Sequence, residues 1–77
     1  MELEYSGHWQ KKKKYRSDIT NEVIEYVIEN SAELTDKYWI DALNAITRVP
    51  PKGRLLKVIY KRLENNRIKV ITAFWLD

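Results

Sequence analysis

The sequence predicts a single α+β domain over residues 1–77, and three observations carry that expectation. Thr20 heads the segment NEVIEYVIEN, whose apolar residues recur at helical spacing. The chain closes on RLLKVIYKRL and RIKVITAFWL, two segments rich in β-branched and aromatic residues that meet around Asn65-Asn66. Between helix and hairpin, Pro50-Pro51-Lys52-Gly53 forbids regular structure, because proline cannot donate to a ladder and glycine admits unusual dihedrals.

The elements follow in order. MELEYS alternates Leu3 and Tyr5 with Glu2, Glu4 and Ser6, the period of a short edge strand, and Gly7 ends it. A helix over His8 to Arg16 would bring His8, Lys12 and Arg16 onto adjoining turns, with Trp9 and Tyr15 as its apolar anchors. Thr20 is the N-cap of the second helix, and Ile19 and Ile24 occupy the two positions of a hydrophobic staple. Val23, Ile24, Val27 and Ile28 form its buried stripe, Glu22, Glu25 and Glu29 fall mainly outside it, and it should stop near Asn30 or Ser31. Over Tyr38 to Val49 helix and strand compete, and Tyr, Trp, Ile and Thr with polar interruptions favour a strand.

Composition limits function. Seventy-seven residues suffice for one modest core, and 44% hydrophobic with 32% charged residues is the balance of a globular chain. Without Cys there is neither a disulfide framework nor a thiolate zinc site, and one His among scattered carboxylates gives no metal or cofactor motif, so none is expected. MELEYSGHWQ lacks the pattern of a signal peptide, and no run approaches the roughly 18 apolar residues of a membrane span. The expected location is cytoplasmic.

Fourteen Lys and Arg against eleven Asp and Glu give +3, with a pI near 9.2. The distribution says more. Glu22, Glu25, Glu29, Glu33 and Asp36 occupy the middle, while Lys11 to Arg16 and Lys52 to Lys69 hold most of the cations.

A two-residue turn at Asn65-Asn66 sets Leu63, Lys61, Ile59, Lys57 and Leu55 opposite Ile68, Val70, Thr72, Phe74 and Leu76 on one face. The other face then pairs Arg62 with Lys69, Tyr60 with Ile71, Val58 with Ala73 and Leu56 with Trp75. Laying the Ile19–Asn30 helix on the first face leaves Arg62, Arg67, Lys69, Tyr60 and Trp75 on one open surface, a mixture of cations and rings that suits RNA. A purely solvated, aggregation-blocking face is the alternative. Lys57 and Lys61 land on the covered face in this register, so either they snorkel to its edge or the register is off by one. Lys11 to Lys14 cannot all point one way on a helix. His8 is the one residue of the type used as a neutral-pH general base or acid, against the alternative of a merely exposed or structural histidine.

In order, His8 with Lys12 and Arg16, Ile19-Thr20 with its Ile/Val helix, Gly53-Arg54, VIY and VITAFW resemble a known pattern. It is that of small domains reading His-Ala-x-x-Arg-Met-x-x-Arg in a helix, then Gly-Arg-x-Leu-x-Val-x-Tyr and Val-Ile-Thr-Ala-Tyr in the last strands. Those domains are similar to the RelE/ParE-like toxins of toxin–antitoxin pairs, including the BrnT type. The resemblance spans nearly the whole chain. It implies an α+β fold with two N-terminal helices packed on a curved antiparallel sheet, RNA (including ribosome-associated mRNA) as substrate of a metal-free endoribonuclease, and a small acidic antitoxin as partner. The motif's histidine is His8, its first arginine is replaced by Lys12 and its second is Arg16, while Trp9 replaces the small Ala and Asp18 is an extra residue. Lys12 keeps the charge but not the bidentate fork of arginine. The expected catalytic set is His8, Lys12 and Arg16 with Tyr60 and Arg67 across the groove, and Lys11, Lys13, Arg54, Arg62, Lys69 and Trp75 are the expected RNA contacts. The alternatives are a non-catalytic protein-interaction module of the same fold and a double-stranded DNA binder, for which no recognition helix is evident.

Overall fold

Leu3 and Tyr5 alternate with Glu2 and Glu4, and in the computed structural model, which describes all residues from Met1 to Asp77, they lie on strand β1 (Glu2–Tyr5). There follow α1 (Gly7–Lys12), a 3-10 turn at Lys13–Tyr15, α2 (Asn21–Glu29), β2 (Leu34–Thr35), β3 (Leu43–Val49), β4 (Arg54–Arg62) and β5 (Arg67–Trp75). The fold is α+β, with one five-stranded sheet in the order β1-β5-β4-β3-β2. No helix is long and apolar enough to cross a membrane.

The sheet is mixed rather than wholly antiparallel, because β1 pairs parallel with β5 from Glu2–Arg67 to Tyr5–Val70. That direction aims the chain leaving β1 along the uncovered half of β5. There the Ser6 N–H reaches the Val70 carbonyl at 2.9 Å, and the Ser6 hydroxyl donates to the Ile71 carbonyl at 2.8 Å while accepting from the Trp9 N–H as the N-cap of α1. The first helix ends at Lys12, not at Arg16. Trp9 is its only buried side chain, so little packing opposes the repulsion among Lys11 to Lys14, and Arg16 leaves the turn at φ −129 and ψ 50.

The second helix is as its sequence dictates. Thr20 Oγ1 accepts from the Val23 N–H at 3.3 Å, and Ile19 and Ile24 are both buried. The Asn30 side chain donates at 2.8 Å to the Tyr26 carbonyl, which also accepts the Asn30 N–H, and the Ser31 hydroxyl donates at 2.7 Å to the Val27 carbonyl, an acceptor the helix leaves open. Burial of Ile24, Val27 and Ile28 against the sheet stabilises the fold by about 1.5–3 kcal/mol per side chain.

The strand expected over Tyr38 to Val49 is confined to Leu43–Val49. Residues 38–42 form a loop because the Asp36 carboxylate accepts from the Tyr38 and Trp39 N–H groups, each at 2.9 Å, taking donors a ladder would need.

Asn65 and Asn66 turn the last hairpin, each at φ 60. Its loop is one residue longer than expected, since the Leu63 N–H bonds the Arg67 carbonyl at 2.8 Å. Near the turn Tyr60 therefore faces Val70, Lys61 faces Lys69 and Arg62 faces Ile68. A bulge at Ile71 absorbs the extra residue, and the pairs from Ile59–Thr72 to Leu56–Trp75 keep the expected register. Tyr60 and Ile71 consequently lie on opposite faces. Tyr60 joins Leu56, Val58, Ile68, Val70 and Ala73 in the main core under Trp9, Ile24 and Val27, whereas Ile71 packs with Ile59, Ala42 and Phe74 on the other side. The expected face assignment is thus inverted along β4 and along β5 beyond the bulge, while Ile68, Val70 and Lys69 keep their expected sides. The helices cover the Leu56, Val58 and Tyr60 side, and Lys57, Ile59 and Lys61 look outward from the sheet.

Candidate nucleic-acid interface

Inversion of the faces divides the expected RNA surface in two. Tyr60 is buried, and its hydroxyl donates to Glu33 at 2.7 Å, while Arg62 forms an ion pair with the same carboxylate. The Tyr60 hydrogen bond, with Arg62 beside it, holds Glu33 below the usual carboxylate range despite some desolvation. Burial, and then Glu33, push the Tyr60 hydroxyl above the ordinary phenol range. This trio fastens the chain after α2 to the end of β4, and it lies on the helix side of the sheet, away from His8.

Trp75 and Arg54 are likewise engaged on that side. The Arg54 guanidinium lies 4.3 Å over the Trp75 ring, and the indole N–H donates to Asp18 at 2.9 Å. Arg54 also approaches Asp18 at 3.7 Å and Asp77 at 4.0 Å. Asp18, the residue in excess of the motif, thereby ties the approach to α2 to both ends of the hairpin.

The helix trio does not stay together. Arg16 lies beyond α1, and its Nη1 donates to the Ala73 carbonyl at 2.8 Å and to Thr72 Oγ1 at 3.4 Å, a clamp on β5 beyond the bulge. Lys11, Lys12 and Lys14 are exposed, and the Lys13 ammonium lies 4.2 Å over the Tyr5 ring.

Four elements meet on the open side. Ser6 and His8 from the start of α1, Trp39 from the loop, Lys61 from β4, and Lys69 and Ile71 from β5 line one cleft. Ile71 reaches this face through the bulge and forms its apolar floor. The His8 and Trp39 rings stand 5.8 Å apart at an angle of 59°, and Trp39 is 39% exposed. Lys61 and Lys69 are direct cross-strand partners.

What distinguishes this lysine pair is the absence of an ion-paired acid, because Glu4, the register partner of Lys69 on β1, is bonded to Arg67 instead. Of the six cations on β4 and β5, Arg54, Lys57, Arg62 and Arg67 each have a carboxylate within 4.0 Å, on Asp18 or Asp77, Asp36, Glu33 and Glu4 respectively. Lys61 and Lys69 have none. Two unneutralised like charges placed opposite each other cost stability and attract an anion.

The loop carrying Trp39 is held firmly. Burial pushes the Asp36 carboxyl up, but the Trp39 and Tyr38 N–H groups, Asn44 and Lys57 together outweigh it and hold the group below its usual range. Asn44 Nδ2 donates to it at 3.3 Å and Lys57 lies at 4.0 Å.

The structure therefore brings His8 and Lys69 of the expected residues together, with Arg67 nearby at the β1 edge bonded to Glu4. Tyr60, Arg62, Arg54 and Trp75 lie apart from them. Trp39 and Lys61 are the residues the sequence reading missed. Lys57 and Lys61, awkward on a covered face, were the signal that the faces were reversed.

Compared with protein-family models, curated proteins and solved structures, the chain matches none.

Proposed function

We propose that this is a cytoplasmic, toxin-like domain that binds single-stranded RNA on its open sheet face, with a small acidic antitoxin as the protein that masks that face. Lys61 and Lys69 carry the assignment: they are cross-strand neighbours with no carboxylate within 4.0 Å, beside an exposed tryptophan, on the side of the sheet opposite α2. Cations there neutralise phosphates and the Trp39 ring stacks on an unpaired base. The sequence resemblance to RelE/ParE-like toxins supports the same reading.

A second reading, metal-free endoribonuclease activity, is favoured by His8 opening on that cleft. His8 would take the 2′-hydroxyl proton, and Lys61 and Lys69 would stabilise charge on the scissile phosphate, since Arg16 is occupied by β5.

The test is the salt dependence of affinity for an unstructured RNA, starting near 50 mM. Lys61→Gln with Lys69→Gln should flatten the plot of log K against log salt by about 1.4, from two lost phosphate contacts on a single strand. Arg62→Gln, on the other face, should leave the slope unchanged. The reverse pattern would return the binding surface to the helix side. If no RNA binds, the cationic face serves an acidic protein instead. Cleavage in EDTA that survives His8→Ala would end the catalytic reading.

A further inference from the structure

We propose that the cleft takes a nucleotide bearing a terminal phosphomonoester, with the phosphate between Lys61 and Lys69 and the base against Trp39. This rests on the RNA-binding reading and narrows it to chain ends.

Charge balance is the first argument. An internal phosphodiester carries a single negative charge, whereas a phosphomonoester carries about −1.5 to −2 at neutral pH and presents three acceptor oxygens. Lys61 and Lys69 are opposed on neighbouring strands and share no carboxylate, so a dianion matches them where a monoanion leaves excess positive charge. Lysine ammoniums are compact point charges that adapt to a tetrahedral group, unlike the planar fork of arginine. The sheet's arginines, in contrast, are all committed: Arg54, Arg62 and Arg67 to carboxylates and Arg48 to the Gly53 carbonyl.

Shape is the second. Ser6, His8, Trp39 and Ile71 line the cleft beside the two lysines, with the His8 and Trp39 rings in contact. The Ser6 hydroxyl is occupied by the Ile71 carbonyl, so the free side-chain polar groups of the cleft are His8, the two lysines and the Trp39 indole N–H, all able to donate to an anion. The His8 and Trp39 rings are in direct tilted contact, so only the outer face of Trp39 is left for a base, a surface for one base and not a platform for several.

The chemistry is shared by a phosphorylated RNA end and a free nucleoside monophosphate, and the assay separates them. The full chain is titrated by calorimetry at about 50 mM salt with one short oligonucleotide in 5′-phosphorylated, 3′-phosphorylated and unphosphorylated forms, and with AMP. At least one phosphorylated form should bind about tenfold more tightly than the unphosphorylated one, the gain from one further charge-assisted contact. Lys61→Gln with Lys69→Gln should erase that preference, and Trp39→Ala should weaken all forms alike, with folding of each variant checked by circular dichroism. AMP binding as tightly as the phosphorylated oligonucleotide would support the site with a free nucleotide as its occupant. Equal affinity with and without the end phosphate would overturn the inference and leave RNA binding standing, whereas no binding of any probe would overturn both. A phosphate preference that persists in the double lysine variant would also overturn it, by placing the phosphate elsewhere.

Discussion

Lys61→Glu should make this protein more stable while weakening its hold on RNA. Lys61 lies directly opposite Lys69, and neither has an acidic neighbour within 4.0 Å. Opposed like charges on paired strands are unfavourable by an amount comparable to the roughly 0.2–1 kcal/mol of an opposite-charge pair. The substitution removes the first and creates the second, and solvent screening at a half-buried and an exposed position reduces the sum to about 0.5–1 kcal/mol. Glu and Lys are similarly poor strand formers, so backbone preference changes little. In a domain of this size the gain corresponds to a rise in Tm of about 2–8 °C. Thermal and urea unfolding should show it near 50 mM salt, largely lose it near 0.5 M where surface charges are screened, and give about half of it for Lys61→Gln. A variant less stable than the parent at low salt, or a gain indifferent to salt, would refute the idea that the pair is held under repulsion.

The Asp36 network makes stability depend on pH in a defined sense. The folded carboxyl titrates below its unfolded value, so its contribution is present above about pH 4 and is lost as pH falls through the folded value. Asp36→Asn should cost about 1–3 kcal/mol at pH 7 in urea unfolding, and the gap from the parent should narrow below pH 4; a constant gap would mean that the charge is immaterial. Trp9 is the largest side chain fully enclosed in the core, so Trp9→Ala should cost about 3–5 kcal/mol and leave poorly dispersed proton resonances at 37 °C, with Trp9→Phe far milder. A well-dispersed spectrum for Trp9→Ala would show that the helices dock without it.

Local chemistry wrote much of this fold into the sequence. Thr20, Ile19 and Ile24 announce α2 because an N-cap oxygen and a staple act within one helical turn. Asn65 and Asn66 announce the hairpin because both tolerate positive φ. The bulge at Ile71 has no such signature, since it requires neither glycine nor proline, yet it decides which side chains share a face with Tyr60. The parallel pairing of β1 depends on where α1 must begin, a long-range matter. For the candidate site, His8 and Lys69 were legible as residue types. Trp39 was not, because its position depends on Asp36 drawing residues 38–42 out of the ladder, and Lys61 was assigned to the wrong side with the rest of its strand face.

The placement of charges about the sheet also gives the molecule an electrical direction. Glu22, Glu25 and Glu29 of α2 form no ion pair on the helix side, and Lys61 and Lys69 form none on the side opposite. With a net charge of only +3, overall attraction to a polyanion is weak, but the separation of signs produces a dipole across the thickness of the sheet. Near a nucleic acid the resulting torque turns the helices outward before contact, so that a larger share of encounters begins with the lysine face in front.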